Sequence, residues 1–529
     1  MTMFRLFGHS SPFTRQLLHL VVTGVFVTWS WDVMFSAHVA NFADPDAVVS
    51  TTLEAISSPW SFVASLIFFL PMLWFGARAS GNRGPWAVRS ALFLTAAWLS
   101  WCLVSESRNA FLDAWFLADR ALLVVSCLLI LWTPHAVPIF LMVALSFLAQ
   151  FYGPFDWPYT YDVRPLYNVL LAGYAFFTVG QVRNEVRIFF TTILLMQLAS
   201  YAFSGIGKII ISPDLVSWFT ENELSLLLRS TEWRGWSPDV FPTLRDQMVV
   251  LTQEHPMPGA LVVFGLEVAC FVALAQRRAS MVLLVLLTLM HVAIFWLTGI
   301  LFIHWMLINA GLVSVMAIRP AWFSFRSSPV GAIRSLVLVC VAILAFHPIF
   351  YAWHDARYQW TADIVLVDES GRRRTFDKNR MGGYSFFFTH GEFQRSIPRA
   401  ILSNNGYSAS LEEVRSVRGL SPSDVRAHLD AHGVVHFDAD WTSRLGDFLQ
   451  RYFTNLAHGP SSSEWSRVGP PRQLHMYEAD VHDVGAVQTA DSVLLVLREV
   501  VFDGSEHPVV LDTTVLLRRP IGHQPSVPK

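Results

Sequence analysis

Four ionisable side chains lie inside stretches of sequence that are otherwise apolar: Lys208, Glu267, His291 and His304. A charge in the middle of a bilayer costs roughly 3 kcal/mol or more, so such residues are usually paired or functional. Lysine, glutamate and histidine are also side chains that donate and accept protons in enzymes, once their surroundings bring their titration near neutral pH. The set therefore indicates proton transfer inside a membrane.

Lys208 is the strongest of the four candidates. It lies in QLASYAFSGIGKIIISPDL, residues 197–215, and is the only lysine before residue 378 in a chain with 38 lysines and arginines. A lysine amine is protonated near pH 7, but apolar surroundings disfavour the charged form and make the amine a usable base. Arginine stays protonated in proteins and could not replace it. The alternative is structural, because a long side chain about one turn from the end of an apolar run also extends to the membrane surface.

The other three residues have structural alternatives too. Glu267 lies in the middle of VFGLEVACFV, where a carboxyl group either carries protons or stays neutral and hydrogen-bonded between helices. His291 and His304 lie in LMHVAIFWLTGILFIHW, and a histidine among apolar residues is more often packed than catalytic.

The composition predicts that most of the chain is membrane helix. Hydrophobic residues make up 53% of the sequence and charged residues 15%, against about 25% charged in soluble domains, and the mean hydropathy is +0.42. A spanning helix needs about 17–25 mainly apolar residues, so we predict a mainly α, polytopic transmembrane bundle with about 9–11 spans. The candidate segments are 15–36, 58–77, 86–105, 118–132, 137–152, 166–182, 188–211, 257–275, 279–297, 299–318 and 333–353.

Basic residues in the predicted loops set the orientation of the bundle. Arginines such as Arg78, Arg83 and Arg89 concentrate in the loops that share a side with the N-terminus, whereas the 38–57 loop has acidic residues and no basic one. We therefore expect a cytoplasmic N-terminus and an extracytoplasmic region after residue 353. The N-terminal stretch shows no cleavable signal peptide.

The composition changes near residue 354, which divides the chain into a transmembrane domain, 1–353, and an extracytoplasmic α+β domain, 354–529. Alternation and turn residues predict a hairpin in DIVLVDESGRRRTFD and two strands in DSVLLVLREVVFDG and PVVLDTTVLLRRP. Helices are predicted at 421–433 and 441–457. In the outer loop 212–256, PDLVSWFTENELSLLLRS predicts one amphipathic helix that lies in the membrane interface as a lid beside Lys208.

A histidine-rich stretch, HLDAHGVVHF, places His428 and His432 one helical turn apart, with His436 beyond them. Two histidines at this spacing can hold a metal ion on one face of a helix. However, Gly433 ends the predicted helix, and no glutamate is placed like the base of a zinc protease. We expect a solvated surface here and no metal site.

The lysine segment resembles a known family. QLASYAFSGIGK, followed by an amphipathic stretch, is similar to the lysine segment of the vitamin K-dependent γ-glutamyl carboxylases and of the bacterial horizontally transferred transmembrane domain family. LVVFGLEVACFVAL resembles the acidic helix of these proteins, and LLTLMHVAIFWLTGILFIHWML resembles their histidine helix. The resemblance covers about residues 15 to 350 and is strongest from 188 to 310.

The resemblance implies a membrane enzyme of the carbon–carbon lyase class, in a bacterial-type inner membrane. Lys208 would deprotonate a reduced quinone of the vitamin K or menaquinol type, which reacts with O2 so that CO2 adds to a glutamate of a peptide substrate. Glu267 and His291 would assist. The quinol ring would lie against Gly205 and Gly207, with Trp296 and His304 beside it. The implied partners are membrane lipid, an isoprenoid quinol and a peptide, with no metal and no nucleic acid.

One departure from the family keeps other functions open. The animal carboxylases carry an Asn-His pair before the lysine helix, whereas RPLYNVLLAGYAFF has Tyr167 and Asn168 but no histidine. Quinol binding or oxidation without carboxylation is therefore an alternative. A second alternative is a non-catalytic membrane subunit for the maturation or export of a partner peptide. A transporter is a third, although the sequence shows no paired Gly/Pro-broken spans in two halves.

Overall fold

The computed structural model describes residues 12–29, 86–104, 116–152, 163–179, 186–236, 242–323, 329–346, most of 348–458 and most of 484–522. Helices predominate before residue 347. They are α1 (Pro12–Trp29), α2 (Trp86–Val104), α3 (Phe116–Trp132), α4 (Val137–Tyr152), α5 (Arg164–Val179), α6 (Val186–Ile210), α7 (Ser217–Glu221), α8 (Leu224–Trp233), α9 (Pro242–Glu254), α10 (Pro256–Ala269), α11 (Arg277–Thr298), α12 (Ile303–Ile318) and α13 (Pro329–Phe346). The predicted span 58–77 lies outside the described residues.

Three of the described helices, α2, α6 and α11, are long and apolar enough to cross a membrane. Six shorter apolar helices accompany them: α1, α3, α4, α10, α12 and α13. In the most apolar 18-residue stretch of each helix, 78% of the residues are buried in α6, against 33% in α2 and 28% in α11. The helix that contains Lys208 is therefore the central helix, and α1, α5, α10 and α13 pack against it.

Local sequence signals explain where the helices end. The gap between the predicted segments 118–132 and 137–152 is present at Thr133-Pro134, where α3 stops and α4 starts after a short 3-10 turn. The boundary between the predicted segments 279–297 and 299–318 is also present: Gly299 has φ +77, and an added Cβ would lie 1.9 Å from the Trp236 carbonyl oxygen. The predicted segment 257–275 is α-helical only to Ala269, and a turn and a 3-10 helix at Ala273–Ala275 follow.

The outer loop corrects the prediction of a single interfacial helix. The stretch forms two helices, α7 and α8, separated at Asn222 and Glu223. Asn222 has an extended backbone, and its side-chain oxygen accepts a hydrogen bond of 2.8 Å from the backbone N–H of Asp355. A contact with a distant part of the chain therefore divides the helix.

A small sheet lies after residue 353, as the sequence predicts. Its antiparallel order is β3 (Arg373–Phe376), β2 (Tyr358–Asp368), β5 (Ala490–Val501) and β6 (Val509–Pro520), and β1 (His354–Asp355) pairs separately with β4 (Tyr407–Ser408). The predicted hairpin is the β2–β3 pair, with its turn at Gly371. Helices α14 (Leu411–Val417), α15 (Pro422–His432), α16 (Ala439–His458) and α17 (Val484–Gln488) accompany the sheet, and α15 and α16 match the predicted helices.

Polar contacts join the sheet region to the outer loop. Arg234, just after α8, donates hydrogen bonds to the side chain of Gln359 at 2.9 Å and to the carbonyl oxygen of Asn405 at 2.7 Å. Asp355 of β1 lies beside them and is 5% exposed. Burial raises the pKa of Asp355 to about 7, although the Arg234 charge opposes this effect.

We predict that Asp355 makes stability depend on pH. Its ordinary pKa is 3.8, so between pH 3.8 and about 7 the folded state binds a proton that the unfolded state lacks, and stability falls as pH rises. Asp355→Asn should reduce the fall in thermal midpoint between about pH 5 and pH 8. Asp430→Asn, at an exposed position, is the control and should leave the fall unchanged. An unaltered pH dependence in Asp355→Asn would contradict the assignment.

Candidate functional site

Lys208 lies in the last turn of α6 and is 5% exposed. Ser200, Ser204 and Lys208 follow one another at four-residue spacing, so they share one face of the helix. The Lys208 amine lies 3.4 Å from the Ser204 carbonyl oxygen. The side chain is therefore enclosed by protein, which excludes the alternative in which it extends freely to a membrane surface.

Glu267 of α10 is the direct partner of the lysine. The Lys208 Nζ atom lies 2.8 Å from Glu267 Oε1 and 2.7 Å from Oε2, so both carboxylate oxygens contact the amine. Glu267 is also 5% exposed. A buried ion pair is stable only when the two groups compensate each other's loss of hydration. The structure thus brings together two of the four ionisable residues that the sequence singled out. Their direct contact is closer than the predicted supporting role of Glu267 requires.

Gly205 makes this contact possible. A Cβ at Gly205 would lie 3.1 Å from the Cβ of Glu267 and 3.6 Å from its Oε2, so the missing side chain lets α10 approach α6. The sequence assigned this space to a flat ring, but the glutamate side chain fills it. Gly207 is buried in the same turn, and its carbonyl oxygen accepts the Ile211 N–H at 3.0 Å.

Trp218 of α7 covers the amine on another side. The Lys208 Nζ atom lies 4.9 Å from the centroid of the Trp218 ring, within the range of a cation–π contact. Ser212 connects the two residues: its hydroxyl donates to the Lys208 carbonyl oxygen at 2.7 Å and accepts from the Trp218 N–H at 3.0 Å. The indole is fixed in turn, since its N–H donates to the Trp353 carbonyl oxygen at 2.9 Å.

His291 belongs to a second polar cluster, which joins α6, α11 and α12. Its Nε2 atom lies 2.9 Å from the Tyr201 hydroxyl. The Asn309 amide donates to the same hydroxyl at 3.0 Å and to Thr288 at 3.2 Å, and Gln197 donates to Asn309 at 3.0 Å. Because Asn309 donates to Tyr201, the hydroxyl proton of Tyr201 is available for His291 Nε2.

The two clusters are neighbours. Tyr201 lies seven residues before Lys208, about two turns along the same face of α6, and Cys270 directly follows α10, which contains Glu267. The lysine–glutamate pair therefore lies along the same face of α6 as the Tyr201 hydroxyl that contacts His291. The arrangement can hold and pass protons between two sets of buried polar groups.

The remaining predicted site residues have other surroundings. His304 of α12 lies 3.8 Å from the Cys102 sulfur, and its ring meets Trp98 edge-on at 6.2 Å. Trp296 is half-buried in α11, one and a half turns beyond His291. Their predicted role beside a quinol ring stays a prediction.

Sequence reasoning missed the polar partners. Gln197 and Tyr201 lie four residues apart in the lysine helix, and Asn309 is an amide in an apolar helix. Amides inside apolar helices tend to bond to neighbouring helices, which was a usable signal for Asn309. Trp218 gave no comparable signal, because its contact with Lys208 depends on how the outer loop folds.

Among the described residues, no group of three or more His, Cys, Asp or Glu side chains is placed to hold a metal ion. The rings of His428 and His432 are 4.7 Å apart, and His436 lies outside the described residues.

No protein-family model, curated protein or solved structure matches this chain.

We predict that the two partners stabilise the fold only together. Lys208→Met leaves the Glu267 carboxylate buried without its cation, and Glu267→Leu leaves the amine alone, so each should cost about 3–5 kcal/mol of unfolding free energy. The double variant removes both charges and should recover most of that loss. Thermal unfolding of the detergent-solubilised protein measures all three. Additive losses in the double variant would show that the pair is not coupled.

Proposed function

We propose that this chain is a multi-pass membrane protein related to the vitamin K-dependent γ-glutamyl carboxylases, and that Lys208 and Glu267 act together as a base for a quinol substrate. The observation that carries the proposal is the buried amine–carboxylate contact at 2.7 Å. The proposal includes a bundle of about 9–11 spans in a bacterial-type inner membrane, with a cytoplasmic N-terminus and an extracytoplasmic C-terminal domain.

The pair works as one acid–base unit. In the resting state it is an ammonium–carboxylate pair with no net charge. When Lys208 passes a proton to Glu267, the freed amine lone pair can accept a proton from a substrate hydroxyl. The unit then holds an ammonium and a neutral carboxylic acid, so its charge of +1 balances the −1 on the deprotonated substrate. Apolar surroundings strengthen that attraction.

The family resemblance makes a reduced quinone of the vitamin K or menaquinol type the proposed substrate of this amine. Such a quinol supplies two weakly acidic ring hydroxyls when it is bound. Lys208 accepts a proton from a hydroxyl, and the flat Trp218 indole shows that an aromatic ring can lie against the amine. Phe264 and Ile211 contribute to an apolar environment near that ring. The family resemblance adds two further steps to the proposal: the quinol reacts with O2, and CO2 adds to a glutamate of a peptide substrate.

The second cluster provides an exit for the proton. Glu267 would release it toward Tyr201, whose hydroxyl lies 2.9 Å from His291 Nε2. His291 would be a relay residue rather than one that touches the substrate, because its partner is Tyr201. Its loss should slow proton release while leaving substrate binding intact.

A non-catalytic function is the second candidate. Both oxygens of Glu267 contact the amine, and Trp218 covers it, so the pair also serves as a structural connection between α6 and α10. In that case the chain would be a membrane subunit for the maturation or export of a partner peptide.

The decisive variant is Lys208→Arg. Arginine keeps the positive charge and the pairing with Glu267 but does not deprotonate, so oxidation of a reduced short-chain menaquinone under O2 should slow by about 10²-fold or more. Lys378→Arg is the matched control, because Lys378 is a half-buried lysine that lies next to β3, away from the site, and bonds to the Ala362 carbonyl oxygen.

Retained quinol oxidation in Lys208→Arg would show that Lys208 is not the base. A folded wild-type protein that neither oxidises the quinol nor co-purifies with a quinone, as seen by mass spectrometry, would favour the non-catalytic function instead.

A further inference from the structure

Helix α7 closes over the buried amine. Trp218 and Phe219 are 5% and 7% exposed, and the Phe219 ring packs edge-on against Phe264 of α10 with centroids 4.9 Å apart. Together with Ile211 and Ala260 they form a small apolar cluster that is separate from the main core. A five-residue helix with its own cluster can move without disturbing the larger core.

The turn that leads into α7 is strained. Leu215 has φ +67 although it is not a glycine, and it is 64% exposed. A leucine rarely adopts this left-handed conformation, because its Cβ approaches the neighbouring carbonyl group. Hydrogen bonds from the N–H groups of Val216 and Ser217 to Asp214 fix the start of α7. The closed position of α7 is thus held against local strain.

Ion pairs to the C-terminal region hold the other end of α7. Glu221 contacts Arg415 at 2.5 Å and Arg418 at 2.9 Å, and Arg418 also donates to the Glu221 carbonyl oxygen at 2.6 Å. Arg418 contacts Glu223 at 3.2 Å as well. We call these four residues the latch. The Arg415 side chain is 51% exposed, so salt and water can weaken the latch, unlike the buried pair beneath it.

The structure also leaves room beside α7. A cavity of about 250 Å3 borders the latch, and it is lined by Asn222, Arg229, Thr252 and Phe502 among others. The end of α7 can move toward this space without displacing a packed helix.

We propose that α7 is a lid over Lys208, with Leu215 as its hinge and the latch as the contact that keeps it closed. When the lid lifts, the Trp218 indole leaves the ammonium, and a flat apolar ring can take its place in the same cation–π contact. The lid does not depend on Lys208 being a base, so it extends the proposed function and can be tested apart from it.

A thiol beneath the lid reports its opening. Ala260 of α10 is 1% exposed in the cluster under α7, and Ala260→Cys adds a single sulfur atom there. The four native cysteines are first replaced by alanine or serine in the full-length protein. The rate of reaction with a water-soluble maleimide in detergent then measures how often the lid opens.

Breaking the latch should speed this reaction. Glu221→Gln should raise the labelling rate by about three- to five-fold, the range expected for an exposed ion pair. High salt should raise the rate of the protein with an intact latch and change that of Glu221→Gln much less. Asp430→Asn is the control, because it breaks the Arg399–Asp430 pair in the same region without touching α7, and it should have no effect.

Relieving the strain should act in the opposite direction. Leu215→Gly removes the Cβ that disfavours the closed turn, so labelling should slow by about five-fold or more.

Arg415→Gln is a second latch variant in case Glu221→Gln does not fold, which size-exclusion chromatography detects. Equal labelling rates in the latch variants, Leu215→Gly and the control would overturn the lid, and so would a thiol that never reacts.

Discussion

The contact between Lys208 and Glu267 is the interaction on which the rest of the site depends. Each group alone would bury an uncompensated charge, and together they compensate each other across the interface of α6 and α10. The contact needs a glycine at position 205, since a side chain there would push α10 away. It also explains why the central helix carries a lysine so close to its end: the partner lies on the next helix rather than in the surrounding solvent.

The same contact changes the chemistry that the sequence alone suggests. Burial by itself predicts a neutral amine that is ready to accept a proton. A carboxylate at 2.7 Å favours the ammonium instead, so Lys208 can act as a base only if Glu267 takes its proton. In the proposed function Glu267 is therefore part of the acid–base unit, and the Tyr201 hydroxyl, 2.9 Å from His291 Nε2, would be the next position for a proton.

Local signals predicted much of the fold. Gly299 ends a helix, Pro134 separates two helices, and the alternation around Gly371 gives a hairpin, because each depends on residues near one another in sequence. The sequence also found the ionisable residues of the site, since their cost in an apolar stretch is visible without a structure. It did not find their partners. Lys208 and Glu267 are 59 residues apart, and Tyr201 and His291 are 90 apart, so their meeting depends on how helices pack.

The most distant contacts decide whether the site is open. Asp355, 133 residues from Asn222, divides the predicted interfacial helix in two, and only the short first piece places an indole over the amine. The latch then ties that piece to α14, 194 residues further along the chain. A continuous helix would have extended past Lys208 as a rigid rod fixed by many backbone bonds. The short helix is held by one strained turn, one small apolar cluster, the hydrogen bonds of Trp218 to Ser212 and Trp353, and exposed ion pairs. Access to the buried pair therefore depends on a few local contacts and not on a continuous helix.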